Sequence, residues 1–154
     1  MRVVVWVEEV GWRACADFAS RFVGPSDEVV LAACVEEEAE MALRVARRGL
    51  VGRGAWGEAA RLLAGALDEA AEKLLDSSSR RLGHQARLVK VKGDVARGML
   101  DLARGADLLV LARQGERDRA GPKSLGHLAR FVVDHAPCDI CLVWPKKPAR
   151  GQMA

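Results

Sequence analysis

Four short stretches of this chain are apolar at nearly every position, and longer stretches with a helical repeat separate them. Residues 3–7 read Val-Val-Val-Trp-Val and residues 29–35 read Val-Val-Leu-Ala-Ala-Cys-Val. Residues 107–112 read Asp-Leu-Leu-Val-Leu-Ala, and residues 139–144 read Asp-Ile-Cys-Leu-Val-Trp. Successive residues of a strand point to opposite faces, so a run without alternation needs cover on both sides. No run reaches the roughly 18 apolar residues that a membrane span needs. The chain is therefore constrained to a buried sheet with helices above and below it.

The intervening segments supply those helices. Ala14, Cys15, Phe18, Ala19 and Phe22 recur at helical spacing until Gly24-Pro25 stops them. From Glu58 to Asp76, residues Leu62, Leu63, Ala66, Ala70 and Leu74 mark one predicted apolar side, with Glu69 and Lys73 one turn apart on the wet side. Ser77-Ser78-Ser79 is expected to loosen the chain. Asp94 is placed to cap a helix carrying Met99, Leu100 and Ala103. Leu128, Ala129, Val132 and Val133 mark a last helix, ended by Ala136-Pro137. A fifth strand is predicted over 86–92, where Val89 and Val91 face one way and Lys90 and Lys92 the other, as in an edge strand with a wetter face. Five strands joined by helical crossovers predict a three-layer α/β sandwich around a parallel sheet, with no second domain.

In such a sheet, ligands bind beyond the carboxyl ends of the strands, where the winding reverses. If the chain starts at the centre of the sheet, that point lies between Glu8-Glu9 and the loop from Arg113 to Gly126. The loop holds Arg113, Arg117, Arg119 and Lys123 against Glu116 and Asp118. A basic loop running into a helix N-terminus attracts an anion; the same charges also suit a solvated loop. His127 can donate a hydrogen bond there.

Composition narrows the function classes. A formal net charge of +3 over 154 residues is mildly basic, and aromatics are 5% with no Tyr. There is no finger or recognition-helix pattern, so no nucleic-acid partner is expected, and no membrane partner either. Cys15, Cys34, Cys138 and Cys141 are too few for a disulfide framework. Cys138 and Cys141 form a C-x-x-C, but three residues apart at a strand they face opposite ways, which argues against a redox pair. Glu36, Glu37, Glu38 and Glu40 resemble a metal cluster only until Arg44, Arg47 and Arg48 follow; a solvated helix or flap near the ligand end is the expectation. His84 is expected to be exposed, and His135 to sit at a helix end where a partly positive ring is favoured. Trp6, Trp12, Trp56 and Trp144 are read as packing residues, with Trp12 and Trp56 also candidates for the cleft edge. No nucleophile, general base or metal cluster emerges, so no catalytic residue and no metal are assigned.

The last third carries a family resemblance. Gly93-Asp94 opens the helix that leads to Ala106-Asp107-Leu108-Leu109-Val110. Gly115 precedes a variable loop ending at Gly126, and His135-Ala136-Pro137-Cys138 precedes the last strand. In these features the chain resembles the universal stress protein family. The resemblance implies a five-stranded sheet ordered 3-2-1-4-5 and a universal stress protein-like domain over 1–145, followed by a short basic tail at 146–154; the few cysteines, the lack of a leader-like N-terminus and the lack of an apolar span make a soluble cytoplasmic protein the simplest reading. The resemblance also implies a homodimer that pairs two last strands.

One branch of the family binds ATP through an Asp after the first strand and Gly-x-x-Gly, nine residues, Gly, then Ser or Thr. Here those positions are Glu8, Ala112, Gly115, Gly126 and His127, with ten residues between Gly115 and Gly126. The altered motif implies weak or absent ATP binding, and no cofactor is expected; ATP, another nucleotide or a small anion remains the ligand class. The favoured reading is a non-catalytic stress-response or regulatory module. The alternative is an ATP-binding protein with slow phosphate hydrolysis or transfer.

Overall fold

The computed structural model describes residues 1–35, 55–115, 117 and 124–145. The glutamate run, Arg44, Arg47, Arg48, Glu116, Asp118, Arg119, Lys123 and the tail lie outside the described residues, as does the side chain of Trp56.

The strands are β1 (Arg2–Val7), β2 (Glu28–Cys34), β3 (Arg87–Val91), β4 (Leu108–Ala112) and β5 (Asp139–Val143). Among the described residues the helices are α1 (Trp12–Ala19), α2 (Ala55–Leu82), α3 (Val95–Ala103) and α4 (His127–His135). All strand pairs are parallel, in the order β3-β2-β1-β4-β5. The predicted three-layer α/β architecture is thus the one observed, with strand ends within a residue or so of expectation.

β1 shows why its sequence has no polar alternation. Val3, Val5 and Val7 pack with Cys15, Ala19, Ala71 and Leu75 of α1 and α2 on one face. Val4 and Trp6 pack with Val95, Met99, Ala129 and Val132 of α3 and α4 on the other. These five side chains of β1 are at most 2% exposed. Fully burying an aliphatic side chain of this size contributes about 1.5–3 kcal/mol. The two cores split the thiols as anticipated, with Cys138 on the α3–α4 side and Cys141 on the α1–α2 side, and the described cysteines are free. Asp94 caps α3, its Oδ1 accepting the Arg97 amide at 3.0 Å.

α2 corrects two expectations. It runs through the serines to Leu82, because the Ser78 hydroxyl turns back and donates to the Leu74 carbonyl at 2.7 Å, leaving no polar group to break the buried turn. The face expected to be buried is largely exposed, with Leu62 at 70% and Leu63 at 46%. Ala71, Leu75, Ser78 and Leu82 form the buried line instead. A helix of 28 residues is about 42 Å long, whereas a strand of five to seven spans only about 17–23 Å. The sheet covers only the second half of α2, and periodicity alone cannot say which half meets the core. No helix among the described residues is long and apolar enough to cross a membrane.

Candidate functional site

The sheet order puts β1 beside β4 with their helices leaving to opposite faces, so the winding reverses between them. The exits of these strands hold Glu8 and Ala112. Glu8 is half-buried, and its carbonyl accepts the Trp12 amide at 3.2 Å, which turns the chain from β1 into α1. Its charge is felt on both sides of the sheet. Burial first, and the Glu8 carboxylate second, push the Cys15 and Cys34 thiols up to about 12. Neither thiol supplies a thiolate nucleophile near neutral pH.

Ala112 is 3% exposed, and its methyl lies against Gly11. Gly11 has φ +105°, and a Cβ there would overlap that of Ala112. The extra methyl at the end of β4 is therefore accommodated by a glycine in the β1–α1 turn. This close approach packs the turn after β1 directly against the end of β4. Sequence reasoning singled out Ala112 and placed a turn near Gly11, but did not bring the two together.

The basic loop is held at both ends. Arg113 donates its backbone amide to the Val143 carbonyl at 2.7 Å, extending the β4–β5 ladder. Its guanidinium donates to the Ser124 hydroxyl at 3.0 Å and lies 5.2 Å from the centre of the Trp144 ring. The Gln114 amide donates to the Ser124 carbonyl at 2.7 Å. Ser124, Gln114 and Trp144 are thus neighbours of the loop ends that the motif comparison did not identify. Gly115 follows with φ +94°, a left-handed conformation that suits glycine.

Gly126 is the N-cap of α4, with no side-chain cap and no acid in the first turn. Its Cα faces the Gln114 side chain, about 3.6 Å from where a Cβ would stand. The uncapped amides at this helix start retain their partial positive charge. Ala112, Gly115 and Gly126 therefore gather at one end of the sheet, with Glu8 at the neighbouring exit. His127 is exposed and lines a hollow on the outer side of α3 and α4.

The other candidates separate from this end. His84 is half-buried and lines a hollow with Gly24, Asp27 and Arg87 at the amino ends of the strands. His135 stacks on Phe131 at 4.2 Å, and its Nδ1 is 2.7 Å from the Phe131 carbonyl, as expected for a helix-terminal ring. Trp12 packs against the α1–α2 core with Arg13 over its ring at 4.5 Å. What the site offers chemically is a half-buried carboxylate, a staple of Arg113 with Ser124, and the start of α4, which Gly126 leaves without a side-chain cap: hydrogen-bonding and electrostatic groups for a polar anion.

Residues 14–143 match the family model described as the universal stress protein family. Among solved structures, hypothetical protein MJ0577 is similar at 15% identity, with 96% of this chain and 97% of that chain covered and a TM-score of 0.67. A universal stress protein in complex with cAMP is 17% identical, with 95% and 98% covered and a TM-score of 0.60. A universal stress protein family protein from Arabidopsis thaliana with AMP bound is 16% identical, with 97% and 96% covered and a TM-score of 0.59. No curated protein matches the chain.

Proposed function

Since the chain belongs to the universal stress protein family, we propose that it is a non-catalytic, cytoplasmic stress-response or regulatory module that binds a nucleotide or other phosphate-bearing anion weakly. The observation that carries this reading is the grouping of Gly115, Gly126 and the uncapped start of α4 above the β1–β4 reversal. Structural neighbours have been seen with AMP and with cAMP, which supports an adenine nucleotide as the first ligand to try. The Ala112 methyl against Gly11 and the His127 ring in place of a hydroxyl both argue for weakness. One puts a methyl where the family motif has a glycine, and the other replaces a compact donor with a side chain that lies on the outer hollow.

The same reading includes a homodimer formed by antiparallel pairing of two β5 strands. Its support is the uncharged edge from Ile140 to Val143.

Calorimetric titration with AMP, cAMP and ATP tests the ligand. The expected result is a dissociation constant weaker than about 1 μM for each, corresponding to less than about 8 kcal/mol. Binding should weaken further when Arg113 is replaced by Gln. A sub-micromolar ATP complex, or nucleotide binding indifferent to Arg113, overturns the reading.

A further inference from the structure

The outer face of α3 carries four charges in a single line: Asp94, Arg97, Asp101 and Arg104, spaced three, four and three residues apart. Arg97 and Asp101 lie within the helix and Asp94 and Arg104 are its two caps; at 100° per residue the four positions fall within a sector of about 80°, on the side of the helix opposite buried Met99. All four residues are exposed. Asp101 and Arg104 already pair within the helix at 3.3 Å, with side chains 52% and 76% exposed. Beside the stripe runs an apolar hollow of about 400 Å³ between α3 and α4, with Leu100, Leu128 and Phe131 among its walls. Phe131 is 41% exposed.

The order of signs is the informative part. Read from either end, the stripe alternates, and reversing it exchanges every sign. Two copies of α3 laid antiparallel about a two-fold axis near residue 99 place Asp94 of one copy opposite Arg104 of the other. The same operation places Arg97 opposite Asp101. Every charge then meets its opposite over a length of about 15 Å. A parallel pairing in the same register would set like charges together. The axis that turns α3 onto its copy also turns α4 onto its copy, so the two hollows face each other. The apolar groups of α3 and α4 become the floor of the contact, and the charges become its rim.

We propose that this face is a contact surface for a second copy of the chain, with α3 antiparallel to α3 and its charge stripe setting the register. The surface is separate from the β5 edge, so the two contacts are compatible within one assembly. Exposed ion pairs are individually weak. Their role here is to select the partner and orientation, through repulsion of the wrong arrangement as much as through attraction.

The symmetry allows a discriminating test. Arg97→Asp and Asp101→Arg each create a like-charge pair when such a chain meets its own kind. When the two variants meet each other, both contacts become attractive again. Affinity-tagged R97D is immobilised and mixed with untagged R97D or untagged D101R. Retention of D101R should exceed that of R97D by roughly tenfold. The difference should largely vanish in 1 M salt, where the Debye length is about 3 Å. Pairing through β5 contributes equally to every combination and is subtracted as common background. The doubly exchanged chain, R97D with D101R, should associate with itself as the wild type does.

Both substituted positions are exposed, and the Asp94 cap is untouched. Circular dichroism melts establish that each variant is folded, and Arg97→Gln with Asp101→Asn provides a milder pair with a smaller effect in the same direction. Equal retention of the two untagged partners by the tagged variant overturns the proposal. So does a doubly exchanged chain that associates less than the wild type.

Discussion

β3 and β5 are both edges of the sheet, yet β3 carries Lys90 and is followed directly by Lys92, whereas β5 carries no charge between Ile140 and Val143. On β3, Lys90 and Lys92 both reach Asp68 of α2, and Lys90 also stands 3.9 Å from Glu72. The helix is thereby strapped over the margin of the strand. The open backbone groups of β3 face a hydrated, charged border, which is unfavourable for adding another strand. On β5 the side chains of Ile140 to Val143 are half-buried, and their apolar character continues to the border. One edge is guarded by charge and the other is left suitable for pairing. Edge position alone therefore does not determine exposure to association; the chemistry of the outermost side chains does.

The largest expected effect comes from blocking the outward backbone groups of β5. Asp139 donates to Asp107, and Val143 accepts from Arg113, so the odd-numbered residues of β5 face β4. Parallel ladders alternate, which leaves the amides of Ile140 and Leu142 pointing to the open side. Leu142→Pro removes one outward donor per copy without removing a donor to β4. Sedimentation equilibrium should find a wild-type dimer at micromolar concentration and a dissociation constant raised by roughly a hundredfold in the variant. The rest of the sheet should remain folded by circular dichroism. A wild-type monomer, or a dimer unaffected by the proline, would show that the uncharged edge is not the pairing surface.

A smaller effect follows from giving β5 the guard that β3 has. Cys141 lies mid-strand on the α1–α2 side, the side on which Lys90 meets α2. Cys141→Lys places a like charge near the two-fold axis of a β5–β5 pair. Dimerisation should weaken by about tenfold and recover in part as salt is added. The lysine stem can run along the apolar margin while its ammonium reaches water, so the fold should tolerate the change. A dimer insensitive to both the lysine and the salt would break the contrast between the edges.

Much of this contrast was legible in the residues themselves. The lysine alternation of β3 and the apolar run of β5 identify the two borders, and a strand's period of two translates directly into faces. The architecture was legible for the same reason, because runs such as Val3 to Val7 admit few burial solutions. The candidate site was legible only at its backbone positions. Gly115 and Gly126 stand out by residue type, whereas the Gly11–Ala112 approach joins residues a hundred positions apart. The clasp of Arg113 by Ser124 and Trp144 likewise depends on where loop and strand ends meet. The apolar line of α2 was misassigned because helical period reports a stripe, and not which segment of the helix reaches the sheet.

The smallest expected effect concerns the β3 strap itself. Lys90 donates to Asp68 Oδ2 at 2.7 Å, and Lys92 contacts Oδ1 as an ion pair. The hydrogen bond from Lys90 first, and the contact with Lys92 second, hold the Asp68 carboxyl below its ordinary range. The hydrogen bond to Asp68 in turn raises Lys90. For Asp68, the stabilisation is fully present above the unfolded value of about 3.9 and is lost as pH falls through the lower folded value. For Lys90, it is fully present below about 10.4 and is lost as pH rises through the raised folded value. The strap therefore works across the neutral range and fails at both extremes. Asp68→Asn should lower the melting temperature slightly at pH 7, and the gap from the wild type should close as the pH is taken well below the ordinary carboxylate range. It should leave the dimer unchanged, because Lys90 and Lys92 remain to guard the edge. A gap that stays constant down to low pH would mean that the lost contribution is packing rather than charge, and a new association through β3 would mean that the strap, not the lysines, is the guard.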